Sequence, residues 1–422
     1  MNSSPVGVPA NPTRVLIIGG GFGGIRTALR LEKAKIPNLI ITLISDRHHF
    51  EYTPALYKLA TGKSPMETCI PLGDIIGRKK IEYVIDTITG GSVVTRTLTG
   101  ASGSVYHYDY LVLALGAETA YFGIPGVEQN SYTIKSVGSA LKLKNHLHEL
   151  FDDHSGLSKA EIMPQFQFVI VGGGPAGVEL AGEIRRYARS LARIHTISEK
   201  LVTVDILQAA SRLLPTMSEA VSERVVKRLD KLGINIILNH AVTNEDEKGV
   251  YMKDIALNAK TVVWTAGVRP NRVHALIQGL PLDKAGRILV DEHLKVQDLD
   301  TVFAVGDGAA TPFSGTAQTA IYDGNYMGEM IANIIRHRKL PRHDPRVTPY
   351  VIPIGENWAV LTYKNITLSG RLFWWLRQII DFKFFLSILP LHKAFTVWRE
   401  GGMLTESCPT CIFAEEEAAR TH

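Results

Sequence analysis

Two clusters of glycine stand where backbone amides could hold phosphate. Gly19, Gly21 and Gly24 fall in "RVLIIGGGFGG", and Gly172, Gly174 and Gly177 fall in "FVIVGGGPAGVEL". Each set has the spacing G-x-G-x-x-G, follows an apolar run of strand length and opens a helix-like stretch. The first glycine permits a tight turn, the second lets backbone approach a pyrophosphate, and the third lets the helix pack close to the strand. Phosphate oxygens then meet unpaired amides at the positive end of a helix. One cluster alone is a weak sign, because a glycine-rich turn needs no ligand. Two in the same strand–turn–helix context point to two dinucleotide sites.

The elements that must position these loops are legible around them. After the first cluster, "IRTALRLEKAK" reads as a helix and "NLIITLIS" as a strand ending at Ser45 and Asp46. That is the distance from the glycines at which an acid meets a ribose hydroxyl. "YDYLVLALGAET" is a further strand, and its Gly116 can lie against a cofactor. A helix is predicted over residues 137–152. After the second cluster, "LVTVDILQ" reads as a strand ending at Gln208, and "TVVWTAGVRPN" and "TVFAVGDGAATP" are strands broken at Gly267 and Gly306. The fold class expected is α/β, with two Rossmann-like dinucleotide-binding domains, the second inserted in the first. The expected boundaries are 12–125 with 285–335 for the first domain, 126–284 for the second, and 336–422 for a C-terminal region.

Bulk properties narrow the function classes. A chain of 422 residues is too long for one ordinary core. Hydrophobic content of 45% with 21% charged residues describes a globular protein. The net charge of +5 suits anionic cofactors or an anionic membrane surface, and no basic block suggests nucleic acid. Three cysteines argue against a disulfide scaffold. The first residues show neither a signal core nor a transit segment, so the protein is expected to remain where it is made. Near the other end, "GRLFWWLRQIIDFKFFLSILPLHKAFTVWRE" concentrates Trp and Phe among charges. No window there reaches the roughly 18 uncharged apolar residues that a span needs. A helix over 372–389, broken by Arg377, Asp381 and Lys383, reads as an interfacial helix with a cationic rim, the alternatives being a buried helix or a dimer seam.

Together these residues resemble the type II NADH dehydrogenases, single-chain NAD(P)H:quinone oxidoreductases within the flavoprotein superfamily that carries two dinucleotide-binding folds. The resemblance rests on "IIGGGFGG", "HFEYTPALYKLATG", "YDYLVLALGAETAYFGIPG", "GGGPAGVELAGEI", "VVWTAGVRPN", "FAVGDGA" and "GTAQTA". It implies FAD on the first unit and NADH or NADPH on the second. Hydride would pass from nicotinamide to flavin and two electrons to a membrane quinone of ubiquinone or menaquinone type, without proton pumping. It also implies a peripheral, monotopic enzyme of the cytoplasmic membrane face, and it admits a homodimer.

The same resemblance assigns roles. Gly306 and Asp307 match the aspartate turn that holds the flavin's ribityl chain, although a turn aspartate would look the same. Thr53 and Pro54 fall where backbone passes along the isoalloxazine, and Ser45 or Asp46 would hold the adenosine ribose. Gln208 stands where many members carry Glu, which accepts from the ribose 2′-hydroxyl of NADH. A neutral side chain there admits NADPH, with Arg212 nearby. Glu179, read as lying in the first turn of its helix, would face the nicotinamide–flavin region and hold the nicotinamide or relay a proton to reduced quinone, or merely suit the helix dipole. Ala317 and Gln318 fit the quinone-side helix start, whereas Tyr322 replaces the second glutamine of that pattern, which affects the quinone head group.

Two further readings of the fold remain: an NAD(P)H-dependent reductase for a protein electron carrier, and a FAD/NAD(P)H redox sensor. Active-site cysteines of the disulfide and sulfide:quinone enzymes have no counterpart, since Cys69 stands alone and Cys408 and Cys411 lie far along the tail. The histidines show no metal-binding spacing, and no metal is assigned.

Overall fold

The computed structural model describes residues 12–152, 159–345 and 348–404. The N-terminal tail, Cys408, Cys411 and the acidic end lie outside the described residues. The chain divides into two compact units. The first comprises residues 12–50, Pro71–Glu118 and 269–345, and the second comprises Glu51–Ile70, Thr119–Val268 and 348–404.

In the first unit, Thr13–Ile18 is a central strand because its Val15, Leu16, Ile17 and Ile18 are buried on both faces. It pairs in parallel with Leu39–Ser45 on one side and Tyr110–Leu113 on the other. Glu82–Ile85 extends the sheet beyond Leu39–Ser45, and Val302–Ala304 lies beyond Tyr110–Leu113. Ile18 is level with both Ile44 and Leu113, so the glycine loop, Ser45 and Ala114 emerge together at the carboxyl edge. The helix Phe22–Lys33 returns across the sheet and packs on the helix Ala317–Ile335. Glycine makes that approach possible: a Cβ on Gly324 would stand 2.4 Å from the Gly23 carbonyl oxygen.

The second unit repeats the plan. Gln167–Val171 pairs in parallel with Thr203–Gln208 and Thr261–Trp264, and Asn235–Leu238 adds the edge. Val137–Asp152, Pro175–Ile194 and Glu219–Leu232 supply helices whose buried faces share one core with the sheet. The helix predicted over 137–152 is therefore present, and the strand after the second glycine cluster ends at Gln208 as read.

Three further parts of the second unit were not legible. Glu51–Ile70 carries the short helix Leu56–Ala60, whose Leu56, Tyr57 and Leu59 join the unit's core. An antiparallel meander, Tyr350–Pro353, Ala359–Tyr363 and Ile366–Gly370, and the last helix, Leu391–Gly401, are the other two; between them stands the helix expected over 372–389, observed as Arg371–Ile388. No described helix is long and apolar enough to cross a membrane. The rim reading of the penultimate helix needs correction. Lys383 is exposed, but Asp381 is 0% exposed and the Arg377 side chain only 11%. These two, four residues apart on one helical face, point into the unit. Leu372, Trp375 and Ile379 form the exposed stripe instead.

Candidate functional site

The first glycine loop is built for close backbone approach. Gly19 has φ +113°, and a Cβ there would meet the Ala114 carbonyl oxygen at 2.3 Å. A Cβ on Gly24 would stand 1.9 Å from the Gly19 oxygen, so the helix sits directly against the turn. By contrast, a Cβ on Gly21 meets nothing within 4 Å. Gly21 caps the helix without a side-chain bond, and the first turn has no acid. Open space before uncapped amides at a helix N-terminus fits a pyrophosphate.

The neighbouring first-unit residues converge on this loop. Ser45 is buried, and its Oγ would lie 2.5 Å from a Cβ on Gly20, while the exposed Asp46 faces Arg47 at 3.7 Å. Gly23 abuts the Val305 side chain, bringing the loop next to the Gly306 turn. Gly116, at φ +67°, has its carbonyl beside Gly308. The Gly306 amide donates to Asp323 Oδ2 at 3.3 Å, and buried Asp323 pairs with His343 at 3.0 Å. Asp323 and His343 support the turn from below and carried no sequence signal. Asp307 accepts the Gly315 amide at 3.1 Å.

Ala317 and Gln318 open the next helix, whose Thr316 side chain accepts the Thr319 amide at 3.1 Å. Tyr322 is committed locally: its hydroxyl accepts the Asp344 amide at 3.0 Å.

The second unit holds a matching cradle. Gly172 has φ +114°, and a Cβ there would meet Ala266, the residue before Gly267. A Cβ on Gly177 would stand 1.9 Å from the Gly172 oxygen, whereas one on Gly174 meets nothing within 4 Å. Gly174 caps the helix with no side-chain bond, Pro175 follows, and the first turn again has no acid. Gln208 closes the loop, its Oε1 accepting the Gly173 amide at 3.1 Å. Arg212 is anchored on the carbonyls of Leu214, Pro215 and Met217.

Glu179 is the fifth residue of its helix, beyond the first turn, and it is buried. The helix-dipole explanation therefore does not account for it. Around it the second unit assembles an ionic cluster drawn from three separate stretches. Arg377 donates to Asp381 Oδ1 at 2.9 Å and to the carbonyls of Val351 and Pro54 at 3.1 and 3.2 Å. Thus Pro54, in the turn Thr53–Ala55, is tied through its oxygen to the C-terminal helix. Tyr52 donates to the same Asp381 oxygen at 2.6 Å, and its ring stacks on Phe384. Lys58 binds Glu67 at 2.9 Å and faces Asp381 Oδ2 at 3.9 Å.

Burial pushes the Glu179 carboxyl up to about 8; Arg377 opposes the rise and Asp381 adds to it. Burial by itself would lower Lys58, but Glu67 and Asp381 outweigh it and hold the ammonium above its ordinary range. Two cations, Lys58 and Arg377, therefore meet three acids, Glu67, Asp381 and Glu179. The cluster is neutral when one acid is protonated. Burial raises Glu67 as well as Glu179, but Glu67 has the Lys58 ammonium bonded to it at 2.9 Å, which leaves Glu179 as the acid that keeps the proton. A carboxyl that holds a proton near neutral pH can donate one. Sequence reasoning found Glu179 and missed Tyr52, Lys58, Glu67, Arg377 and Asp381 as its surroundings.

Among the described residues no group of three or more metal-ligating side chains occurs. Cys69 is buried and forms no disulfide among the described residues.

Comparison with known proteins places this geometry. The family described as pyridine nucleotide-disulphide oxidoreductase matches residues 13–324. A type II NADH:quinone oxidoreductase of Mycobacterium tuberculosis is 32% identical, over 99% of this chain and 94% of its own length. One from Staphylococcus haemolyticus is 26% identical, over 90% of this chain and 97% of its own. Among solved structures, NDH2 from Plasmodium falciparum in complex with NADH superposes with a TM-score of 0.84 at 19% identity, covering 94% of this chain and all of that one. The sulfide:quinone oxidoreductase of Aquifex aeolicus gives 0.74 at 23% identity, over 93% of each chain. The double glycine cradle thus sits in a chain that belongs to the type II NADH:quinone oxidoreductases, a branch of the pyridine nucleotide-disulphide oxidoreductases.

Proposed function

We propose that the protein oxidises NADH, and NADPH as well, and passes two electrons to a membrane quinone. The single observation that carries this reading is the pair of uncapped, acid-free helix N-termini behind open glycines, at Gly21 and Gly174. Two such cradles serve two dinucleotides. FAD fits the first, with Ser45 or Asp46 toward its ribose and Gly116, Gly306 and Asp307 along its length. When bound there it supplies the two-electron carrier between nicotinamide and quinone. The proposed FAD-binding residues are 12–125 and 285–335, those for NAD(P)H are 126–284, and 336–422 form a membrane-facing C-terminal region.

The chain's own groups then orient the co-substrates and handle protons. The amides behind Gly174 hold the pyrophosphate of the nicotinamide dinucleotide, with Gln208 and Gly267 beside it. Gln208 presents no negative charge to a 2′-phosphate, and this is the basis for accepting NADPH. Glu179 keeps its proton at neutral pH and releases it to the reduced quinone. Gln318, at the start of its helix, donates to a quinone carbonyl, and Tyr322 limits the head groups that fit. The exposed stripe of Leu372, Trp375 and Ile379, together with exposed Leu391 and Phe395 on the last helix, supports peripheral attachment to the cytoplasmic membrane face. A homodimer and the absence of proton pumping complete the proposal.

Steady-state oxidation of NADH and NADPH with short-chain ubiquinone and menaquinone analogues tests it. Turnover that depends on quinone supports the reading. Turnover only with a small electron-carrier protein, or a stable reduced complex that no acceptor reoxidises, replaces it with a carrier reductase or a redox sensor.

A further inference from the structure

The second unit also concentrates arginine away from its glycine cradle. The C-terminal half of the helix Pro175–Ile194 carries Arg185, Arg186, Arg189 and Arg193. With Arg228 and Arg371 they line a cleft of about 390 Å³. Three acids stand against these six cations. Glu183 pairs with Arg186 at 2.9 Å, Glu199 takes Arg189 at 3.4 Å and Arg193 at 2.7 Å, and Glu356 is part of the lining. Arg185 and Arg228 spend donors on the carbonyls of Leu232, Ile354 and Glu356. Arg186 keeps one nitrogen in reserve: its Nη2 is buried and meets no acceptor among the described residues. A buried guanidinium nitrogen without an acceptor is costly unless an anion fills the place. Guanidinium groups match phosphate oxygens in forked pairs.

Two features indicate the source of such a phosphate. Arg371 both lines the cleft and begins the helix Arg371–Ile388, so Trp375 lies one turn beyond it on the same face. Leu372, Trp375 and Ile379, exposed by 73%, 57% and 59%, run on from that point. The charged cleft therefore opens at the head of an uncovered apolar stripe, an order that matches a phospholipid, phosphate first and acyl chains after. We propose that this cleft receives the phosphate of an anionic phospholipid head group while the stripe rests among the acyl chains. The inference rests on the peripheral-membrane reading given under Proposed function.

The test uses the full-length, flavin-loaded protein and co-sedimentation with vesicles of phosphatidylcholine alone or mixed with phosphatidylglycerol. The variant Arg186→Gln/Arg371→Gln is compared with Lys33→Gln/Lys80→Gln, which removes the same charge from exposed sites in the first unit. On the mixed vesicles the cleft variant should lose roughly 10- to 30-fold in partitioning, and the control less than about threefold. On phosphatidylcholine alone both should match the parent. Turnover with a water-soluble quinone should be unchanged in both variants. Equal losses in the two variants reduce the effect to net charge and overturn the proposal, as does no loss in the cleft variant. Thermal stabilisation by millimolar pyrophosphate that vanishes in the cleft variant, with vesicle binding intact, makes the site one for soluble anions and overturns the lipid assignment. If the parent binds neither vesicle, the membrane reading itself fails. That outcome differs from the case in which the parent binds and the cleft is irrelevant.

Discussion

Replacing Glu179 with glutamine should change how the stability of the second unit responds to pH. Burial raises the Glu179 carboxyl from its ordinary 4.5 to about 8. Between those values the folded state holds a proton that the unfolded chain has released. The stabilisation from the raised value is fully present below about 4.5 and is lost as pH rises through about 8. The slope is about 1.4 kcal/mol per pH unit while only the folded state is protonated. Across the window this amounts to at most about 4–5 kcal/mol. The glutamine introduced by Glu179→Gln does not titrate, so the constant cost of burying an amide cancels from the slope. Urea unfolding of the flavin-loaded parent and Glu179→Gln, followed at intervals from pH 5 to pH 9, gives the difference directly. The variant should gain on the parent steadily as pH rises, most of the gain falling between pH 5 and pH 8. Quinone turnover supplies a second readout. The carboxyl is about nine-tenths protonated at pH 7 and about one-tenth at pH 9, so parental kcat should fall above pH 8 with a one-proton slope that the variant lacks. A stability difference that is flat across this range would refute the reasoning, because Glu179 would then not carry the cluster's proton.

Other perturbations test other parts. Gln208→Glu should lower kcat/KM for NADPH by about 10-fold or more and leave NADH nearly unchanged, since a carboxylate near a 2′-phosphate costs on the order of 1–4 kcal/mol; comparing kcat/KM for both donors checks it. Asp381→Leu should destabilise the second unit by about 3–5 kcal/mol, because it leaves Arg377 buried without its carboxylate and Tyr52 without its acceptor; Arg377→Met/Asp381→Leu should recover most of that in the same urea titration. Gly21→Ala should fold normally yet retain less FAD, because the new Cβ enters the open cradle, while Gly24→Ala should fail to accumulate as folded protein, its Cβ standing 1.9 Å from the Gly19 oxygen; flavin absorbance per unit of soluble protein separates the two.

The parts legible in the sequence are those whose physics is local. A buried parallel strand followed by spaced glycines and a helix specifies its own geometry, so both cradles, the strand end at Gln208 and the helix Val137–Asp152 could be read directly. The ionic cluster could not, because its members come from residues 52–67, 179 and 377–381, and only tertiary packing joins them. Arg377 and Asp381 illustrate the difficulty. A charge in a Trp- and Phe-rich helix suggests a solvent rim, and periodicity did not reveal that these two face inward toward Tyr52 and Pro54. His343 beneath Asp323 is similar, since nothing near it in the chain marks it as a support for the Gly306 turn. Glu179 was visible as a candidate, but its position in the second turn and its burial decide what it does.

Anaerobic spectroscopy of the purified, flavin-reconstituted protein tests the central claim most directly. Stoichiometric NADH should bleach the yellow absorption within the dead time of manual mixing, and one equivalent of a short-chain quinone should then restore it. A colourless protein after reconstitution, or a bleached one that quinone leaves reduced, would contradict the account.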